Sequence, residues 1–251
     1  MADNLEGVEA LLFDVFGTVV DWKGSVTRAL ESKAQQLGFH ADEDWTAFTV
    51  EWREGYMRST KEYAKTKNVS LNVDEMHRQL LEEILANPRW GHVAKVFNEE
   101  DRATLTYSWH LIDGWPDSSK GLYELKKRFV IGTLSNGNVR LLVDMAKHAD
   151  LPWDVVFSSE MLGSYKPDPQ TYLGAAKYLM LPPSKVALVA AHIYDLRAAA
   201  SHGYKTIYVR RTSEDVGLRD TVKAKADGGE VDVVVDSLVD LEALLKGREK
   251  L

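Results

Sequence analysis

The chain has 251 residues, of which 45% are hydrophobic and 27% charged, a composition typical of globular proteins. Its formal net charge of -7 offers no electrostatic attraction to nucleic acid or to an anionic membrane. The absence of cysteine excludes disulfides, thiolate catalysis and zinc–thiolate sites. The N-terminus lacks the pattern of a signal peptide, and no apolar run reaches the ~20 residues that span a bilayer, so we expect a cytoplasmic protein.

The first part of the chain predicts one strand followed by helices. Residues 8–20 have the pattern of a buried strand and a turn. From residue 21 to residue 108, apolar residues recur at three- and four-residue spacing, which indicates amphipathic helices. Asn72 and Asn98 stand just before acidic first turns, where capping side chains are preferred.

Beyond residues 114–119 (GWPDSS), short β-rich runs alternate with helical ones. The β-rich runs are FVIGTLSN, WDVVFSS, KVALVAAH, KTIYVRR and VDVVVD. Near-continuous Val, Ile and Leu runs of this kind are typical of parallel strands that helices cover on both faces. We therefore predict an α/β protein with a Rossmann-like, doubly wound parallel sheet. Residues 1–20 and 109–251 would form this core domain, and residues 21–108 an inserted all-helical domain.

Polar residues follow four of the predicted strands. They are, in chain order, Asp14, Thr18, Ser135, Asn136, Lys166, His192 and Asp195. Because ligands of open parallel sheets bind beyond the C-terminal ends of the strands, we expect these side chains to converge on one site. A carboxylate pair, a hydroxyl and an amine at such a place favour a reaction centre.

Each of these residues also has a structural interpretation. Asp14 and Thr18 could stabilise a turn, and Ser135 with Asn136 could form a turn or a helix start. Lys166 could be solvated, and an acid at position 195 is favoured by the helix dipole alone. Their order argues against this reading, because independent turn residues rarely follow every strand on one side of a sheet.

Four stretches of the chain, DVFGT, LSNG, YKPDP and VAAHIYD, resemble the motifs of the haloacid dehalogenase superfamily. The helical residues 21–108 resemble the cap domain of that superfamily. The resemblance implies that Asp14 is a covalent nucleophile and that Ser135 positions the substrate anion. It also implies that Lys166 steadies the carboxylates and that Asp195 closes the site.

Two departures from the superfamily pattern bear on the reaction. Its phosphatases carry a second Asp two residues after the nucleophile, which protonates the leaving oxygen, but Phe16 cannot donate a proton. They also hold Mg²⁺ with an extra acid in the fourth motif, where this chain has Ala-Ala-His at 190–192. Asp14 and Asp195 alone would be a poor cage for an ion that prefers six oxygens.

The remaining pattern is similar to that of the L-2-haloacid dehalogenases, which work without metal and have an aromatic residue at the position of Phe16. They carry a Trp-Arg pair in the cap, here Trp52-Arg53, whose arginine receives the departing halide. Without the resemblance, Arg53 would be taken as a solvated helix arginine. The motif lysine is followed six residues later by a tyrosine, here Tyr172.

The substrate pocket is expected to have an apolar part. Phe16, Met57 and Tyr194 are its candidate lining residues, although Met57 fits core packing equally well. His192 stands where the resembling dehalogenases have an asparagine. It could replace that amide as a hydrogen-bonding group, help to activate water, or simply fill the space. The sequence leaves these three readings open.

The expected reaction is the cofactor- and metal-independent hydrolysis of short L-2-haloacids to D-2-hydroxyacids through an ester on Asp14. Arg53 would meet the halide, and Ser135 with the backbone N–H groups after Asp14 would hold the substrate carboxylate. A water positioned by Asp195, and by His192 if it takes part, would hydrolyse the ester. Thr18 and Asn136 are expected to be supporting hydrogen bonders.

Two other functions stay open at this point: a Mg²⁺-dependent phosphatase with altered motifs, and a non-catalytic protein with the same fold. The expected partner is the small-molecule haloacid, with neither nucleic acid nor membrane. The resemblance also allows a homodimer, since relatives often form one.

Overall fold

The computed structural model describes residues 2–39, 43–66 and 72–246. Its centre is a six-stranded, parallel sheet with the order β3-β2-β1-β4-β5-β6. The strands are β1 (Ala10–Phe13), β2 (Val130–Ser135), β3 (Val155–Ser158), β4 (Val186–Ala190), β5 (Lys205–Val209) and β6 (Val233–Val235). This order is that of a doubly wound Rossmann-like sheet, so the predicted fold class is confirmed.

Helices connect and cover the strands. They are α1 (Trp22–Gln36), α2 (Trp45–Thr66), α3 (Val73–Ala86), α4 (Glu99–Tyr107), α5 (Ser118–Leu125), α6 (Val139–His148), α7 (Pro169–Tyr178), α8 (Ile193–Ser201) and α9 (Leu238–Leu245). Of the α-helices in the described residues, α5 alone is not predicted by the sequence, because it begins inside the polar stretch 114–119. The predicted caps are confirmed: Asn72 accepts from the N–H of Glu75, and Asn98 forms a capping box with Asp101.

Both faces of the sheet are buried. In β1, Leu11 and Phe13 point into an apolar cluster that continues into α1–α4, whereas Ala10 and Leu12 pack with α7 and α8 on the other face. All four side chains are fully buried. This burial explains why the strands have continuous apolar runs rather than alternating ones.

Strand β1 lies at the centre of the sheet, between β2 and β4. The chain order of the strands reverses there, which places a ligand crevice beyond their C-terminal ends. Helices α1–α4 follow β1 in the chain and pack against one another. The division into domains at residues 20 and 109 stays a prediction, and residues 1, 40–42, 67–71 and 247–251 of those ranges lie outside the described residues. No helix of the described residues is long and apolar enough to cross a membrane.

Candidate active site

A cavity of 410 Å³ lies beyond the C-terminal ends of β1 and β2, against helix α2. Its lining combines charged residues from the strand ends with apolar and basic residues from α2. The lining residues are Asp14, Phe16, Arg53, Tyr56, Met57, Thr60, Lys61, Ala64, Lys65, Ser135, Asn136, Lys166, Pro167, Asp168 and Tyr194. Three of the four predicted strand-end groups therefore meet at one cavity, as the strand order requires. They are represented by Asp14, by Ser135 with Asn136, and by Lys166.

The Asp14 carboxylate is held by three side chains. Lys166 Nζ donates to its Oδ1 over 2.8 Å, Thr18 Oγ1 donates to its Oδ2 over 2.9 Å, and His192 Nδ1 lies 3.1 Å from the same Oδ2. Thr18 also accepts from the N–H of Ala191, which ties the loop after β1 to the end of β4. Thr18 is fully buried, so its side chain orients the carboxylate rather than lining the cavity.

Lys166 joins the two motif carboxylates. Its ammonium forms an ion pair with Asp195 as well as with Asp14, and all three side chains are buried. The other oxygen of Asp195 accepts from Tyr172 Oη over 2.6 Å. Tyr172 is fully buried behind Asp195, so the structure places it against this carboxylate and not against the cavity.

The charges of this cluster keep Asp14 and Lys166 ionised, whereas burial raises the pKa of Asp195. Burial alone would raise the pKa of Asp14, but the charge of Lys166 and the hydrogen bond with His192 outweigh it and hold the pKa well below its usual range. Burial alone would lower the pKa of Lys166, but the charges of Asp14 and Asp195 hold it above its ordinary value. Asp14 is therefore a carboxylate at neutral pH, the form that a nucleophile needs.

His192 lies between two carboxylates. Its Nδ1 faces Asp14, and its Nε2 lies 2.8 Å from Oε2 of Glu214, in the loop after β5. Burial alone would lower the pKa of His192, but the hydrogen bonds with Asp14 and Glu214 raise it to about 10. Of the three readings of His192, simple space filling is thus wrong, because both ring nitrogens have carboxylate partners.

Glu214 is the main site residue that the sequence analysis missed. Its Oε1 accepts from Trp22 Nε1 over 2.9 Å and from Ser213 Oγ over 2.7 Å. A signal for it exists, because RRTSED follows the strand KTIYV and the rule on strand ends applies to β5 as well. The contact with His192 could not be foreseen, since Ser-Glu-Asp is an ordinary surface-loop sequence.

Arg53 occupies the α2 side of the cavity. Its guanidinium carbon lies 5.1 Å from the ring centre of Phe16, 5.4 Å from that of Trp22 and 4.9 Å from that of Tyr56. Arg53 is buried, so it is not a solvated helix arginine. Its Nη1 and the Tyr56 hydroxyl have no hydrogen-bond partner within the described residues. Buried donors without partners favour an anion at this place.

The end of β2 contributes Ser135 and Asn136 to the cavity lining. Ser135 Oγ accepts from the N–H of Gly137 over 3.2 Å. Asn136 Oδ1 accepts from Ser159 Oγ over 2.8 Å and from the backbone N–H of Lys166 over 2.9 Å. Asn136 thereby fixes the loop that carries the lysine.

The three predicted pocket residues all reach the cavity. Phe16 and Met57 line it, and both also pack with the apolar cluster around the sheet and α1–α4. For Met57 the two sequence interpretations therefore hold together. Tyr194 lines the cavity at the start of α8 and places its ring 5.5 Å from that of His192.

The donor set does not fit a Mg²⁺ ion. Every oxygen of Asp14 and Asp195 already has a protein partner, and the Lys166 ammonium lies between the two carboxylates. Within the described residues no group of three or more His, Asp or Glu side chains could hold a metal. A phosphatase mechanism that needs Mg²⁺ therefore finds no support in this arrangement.

Comparison with known proteins places these motifs in a family. Residues 8–203 match the model of the haloacid dehalogenase-like hydrolases. The structure resembles that of a defluorinating L-2-haloacid dehalogenase, with a TM-score of 0.85, 36% identity and 96% of each chain covered. It also resembles another L-2-haloacid dehalogenase, with a TM-score of 0.82, 34% identity and coverage of 95% of this chain and 99% of that one.

A relative by sequence is (S)-2-haloacid dehalogenase 4A of Burkholderia cepacia. It is 27% identical over 210 residues, which are 82% of this chain and 85% of the relative. The similarity thus spans the strand-end motifs, the helical insertion and most of the sheet. The chain belongs to the haloacid dehalogenase-like hydrolases and, within them, to the L-2-haloacid dehalogenase family.

Proposed function

We propose that this protein is a hydrolytic L-2-haloacid dehalogenase that converts short L-2-haloacids into D-2-hydroxyacids through an ester on Asp14. The observation that carries the proposal is the pairing of two groups at one cavity. One is a buried, ionised carboxylate, and the other is a buried arginine whose Nη1 has no partner among the described residues. The first suits attack on carbon, and the second suits an anionic leaving group.

In the first step, the carboxylate of Asp14 attacks C2 of the haloacid and the carbon–halogen bond breaks. Lys166 keeps Asp14 ionised, and Thr18 fixes its orientation. Because the side chain is buried, little water competes for its oxygens, which favours attack on carbon. Displacement from the side opposite the halogen inverts C2, so an L substrate gives a D product.

The departing halide is received on the α2 side of the cavity. The guanidinium of Arg53 offers a positive charge there, and the hydroxyl of Tyr56 is a second donor that has no partner in the part of the chain that the structure describes. Phe16 supplies an apolar wall and no proton, which suits this leaving group because a halide ion leaves without protonation. A phosphate ester would need a proton at that position.

The substrate carboxylate is held at the opposite wall. Ser135 and Phe16 line the cavity, and the Ser135 hydroxyl and the backbone N–H groups after Asp14 are the donors for this carboxylate. Lys61 and Lys65 add positive charge to the lining from α2, which favours an anionic substrate. Asn136 supports this wall through its bond to the Lys166 backbone.

The test is to incubate the protein with L- and D-2-chloropropionate and with p-nitrophenyl phosphate, each with Mg²⁺ and with EDTA. The proposal predicts chloride from the L enantiomer in both conditions and no phosphate. Phosphate release only with Mg²⁺ would indicate a phosphatase, and no product from any substrate would indicate a non-catalytic protein. A cytoplasmic location and a homodimer stay predictions.

A further inference from the structure

The pair His192 and Glu214 lies beside the nucleophile and has no part in the displacement step described above. His192 is the residue before α8, and Glu214 comes from the loop after β5. The imidazole therefore bridges the carboxylate that reacts and a second carboxylate that does not. Both residues are more than nine-tenths buried.

Glu214 is held too firmly for an incidental contact. One oxygen accepts from Trp22 and Ser213, and the other faces His192. A Cβ at Gly17 would collide with the Glu214 carboxylate, and Gly17 also has a positive φ of 82°. Two other segments of the chain, residues 17–22 and the start of α8, are thus arranged around this one carboxylate.

We propose that His192 is the general base that activates water for hydrolysis of the Asp14 ester, and that Glu214 is the positioning residue that orients its ring. The inference rests on the proposed function, because it requires that ester to form. His192 is not among the residues that line the cavity, but its Nδ1 lies 3.1 Å from the nucleophilic carboxylate, within reach of a water that attacks the same carboxyl carbon. A base held by a carboxylate on its far nitrogen is a recurring arrangement in hydrolases.

The protons balance through one turnover. In the free enzyme His192 carries a proton on each ring nitrogen, facing Asp14 and Glu214. Esterification removes the charge of Asp14, and the Nδ1 proton passes to solvent as the one proton that the net reaction releases. Nδ1 then takes a proton from the attacking water, and the tetrahedral intermediate expels the hydroxyacid alkoxide. The newly formed Asp14 acid protonates that alkoxide, which restores the carboxylate beside the imidazolium.

The surroundings of His192 support this change of protonation state. The groups that face the imidazole are the Asp14 and Glu214 carboxylates and the ring of Tyr194. The two carboxylates raise its pKa to about 10 in the free enzyme, so loss of one of these charges lowers it. Glu214 remains to fix the Nε2–H tautomer.

Asp195 is less suited to take the proton. One of its oxygens is paired with the Lys166 ammonium, and the other accepts from Tyr172. Burial raises the pKa of Asp195, but the Lys166 ammonium lies between this carboxylate and Asp14, where the ester forms. Its contacts instead make Asp195 the anchor of Lys166.

The experiment separates the two half-reactions by rapid mixing with L-2-chloropropionate. Chloride per active site and the intact protein mass are followed in the wild type, Glu214→Gln, Glu214→Asp and His192→Ala. The matched control is Glu230→Gln, since Glu230 is an exposed carboxylate that pairs with Arg197. Circular dichroism confirms the fold of each variant.

We expect His192→Ala and Glu214→Gln to release one chloride per site in an initial burst and then to turn over at least ~100-fold more slowly. The protein should gain the mass of the substrate acid less HCl, on the peptide with Asp14. Glu214→Asp, which keeps the charge, should recover part of the steady rate, and Glu230→Gln should match the wild type.

Two results would overturn the inference: steady turnover within a few-fold of the wild type in both variants, or loss of the burst together with turnover. The second result would assign the pair to the displacement step. If the wild type itself releases no chloride, the proposed function fails instead, so the two failures are distinguishable.

Discussion

The two walls of the cavity differ in how their charged side chains are paired. On the sheet side, Asp14, Lys166 and His192 form a buried cluster in which every charge has an opposite neighbour. On the α2 side, Arg53 is stacked on aromatic rings and its Nη1 has no partner among the described residues. Burial is similar on both walls. The walls therefore differ in whether their charged groups have a partner of opposite charge among the described residues.

This contrast indicates in which direction negative charge moves across the cavity during the proposed displacement. Matched charges hold a nucleophile in one ionisation state and one orientation, because any displacement would leave a buried charge uncompensated. An unmatched buried cation is unfavourable until an anion arrives. Under the proposed function, negative charge therefore begins on the sheet side, at Asp14, and ends on the α2 side, at Arg53.

The largest effect on activity is expected from removing the negative charge of Asp14 on the sheet side. Asp14→Asn removes the nucleophile and keeps the shape of the side chain, so chloride release from L-2-chloropropionate should fall below detection. The measurement is a chloride assay with a long incubation, accompanied by a thermal melt. Steady turnover by a folded Asp14→Asn variant would show that another group attacks the substrate.

Removing the positive charge of Arg53 should have the next largest effect on activity. Arg53→Gln should slow the chloride burst by ~10²–10³-fold, because the halide loses its cationic partner as it departs. Arg58→Gln is the matched control, since Arg58 lies on the same helix and is exposed. Equal burst rates in the two variants would contradict the role of the α2 wall.

A smaller effect is expected on the free energy of unfolding as a function of pH, because of His192 on the sheet side. The pKa of His192 is about 10 when folded and ~6.5 when unfolded, so its imidazolium stabilises the fold fully below pH ~6.5. That contribution is lost as the pH rises through about 10. The free energy of unfolding of the wild type, from urea titrations, should therefore decline relative to that of His192→Ala between these pH values. A constant difference would contradict the paired imidazolium.

Much of the fold and of the site could be predicted because the signals are local. The apolar runs of β1, β2 and β4, and the caps Asn72 and Asn98, depend on neighbours in the chain, and the structure agrees with them. Asp14, Ser135 and Lys166 follow from the rule that strand ends meet at one edge, and they line one cavity.

The remaining features depend on contacts across the chain. Trp22 and Glu214 are 192 positions apart, and nothing near either residue indicates their hydrogen bond. The position of His192 between two carboxylates likewise depends on how the loop after β5 folds over the end of β4. Sequence periodicity carries no information on such loop-to-loop contacts, so the sequence leaves the partners of His192 open.

The central claim, attack by Asp14 on substrate carbon, is tested most directly by one turnover in H₂¹⁸O with enzyme in excess over L-2-chloropropionate. Water attacks the carboxyl carbon of the ester, so the account predicts an unlabelled hydroxyl in the D-lactate and ¹⁸O in the side chain of Asp14. Label in the hydroxyl group of the first-turnover product, with none in Asp14, would show that water displaces the halide directly and would contradict the account.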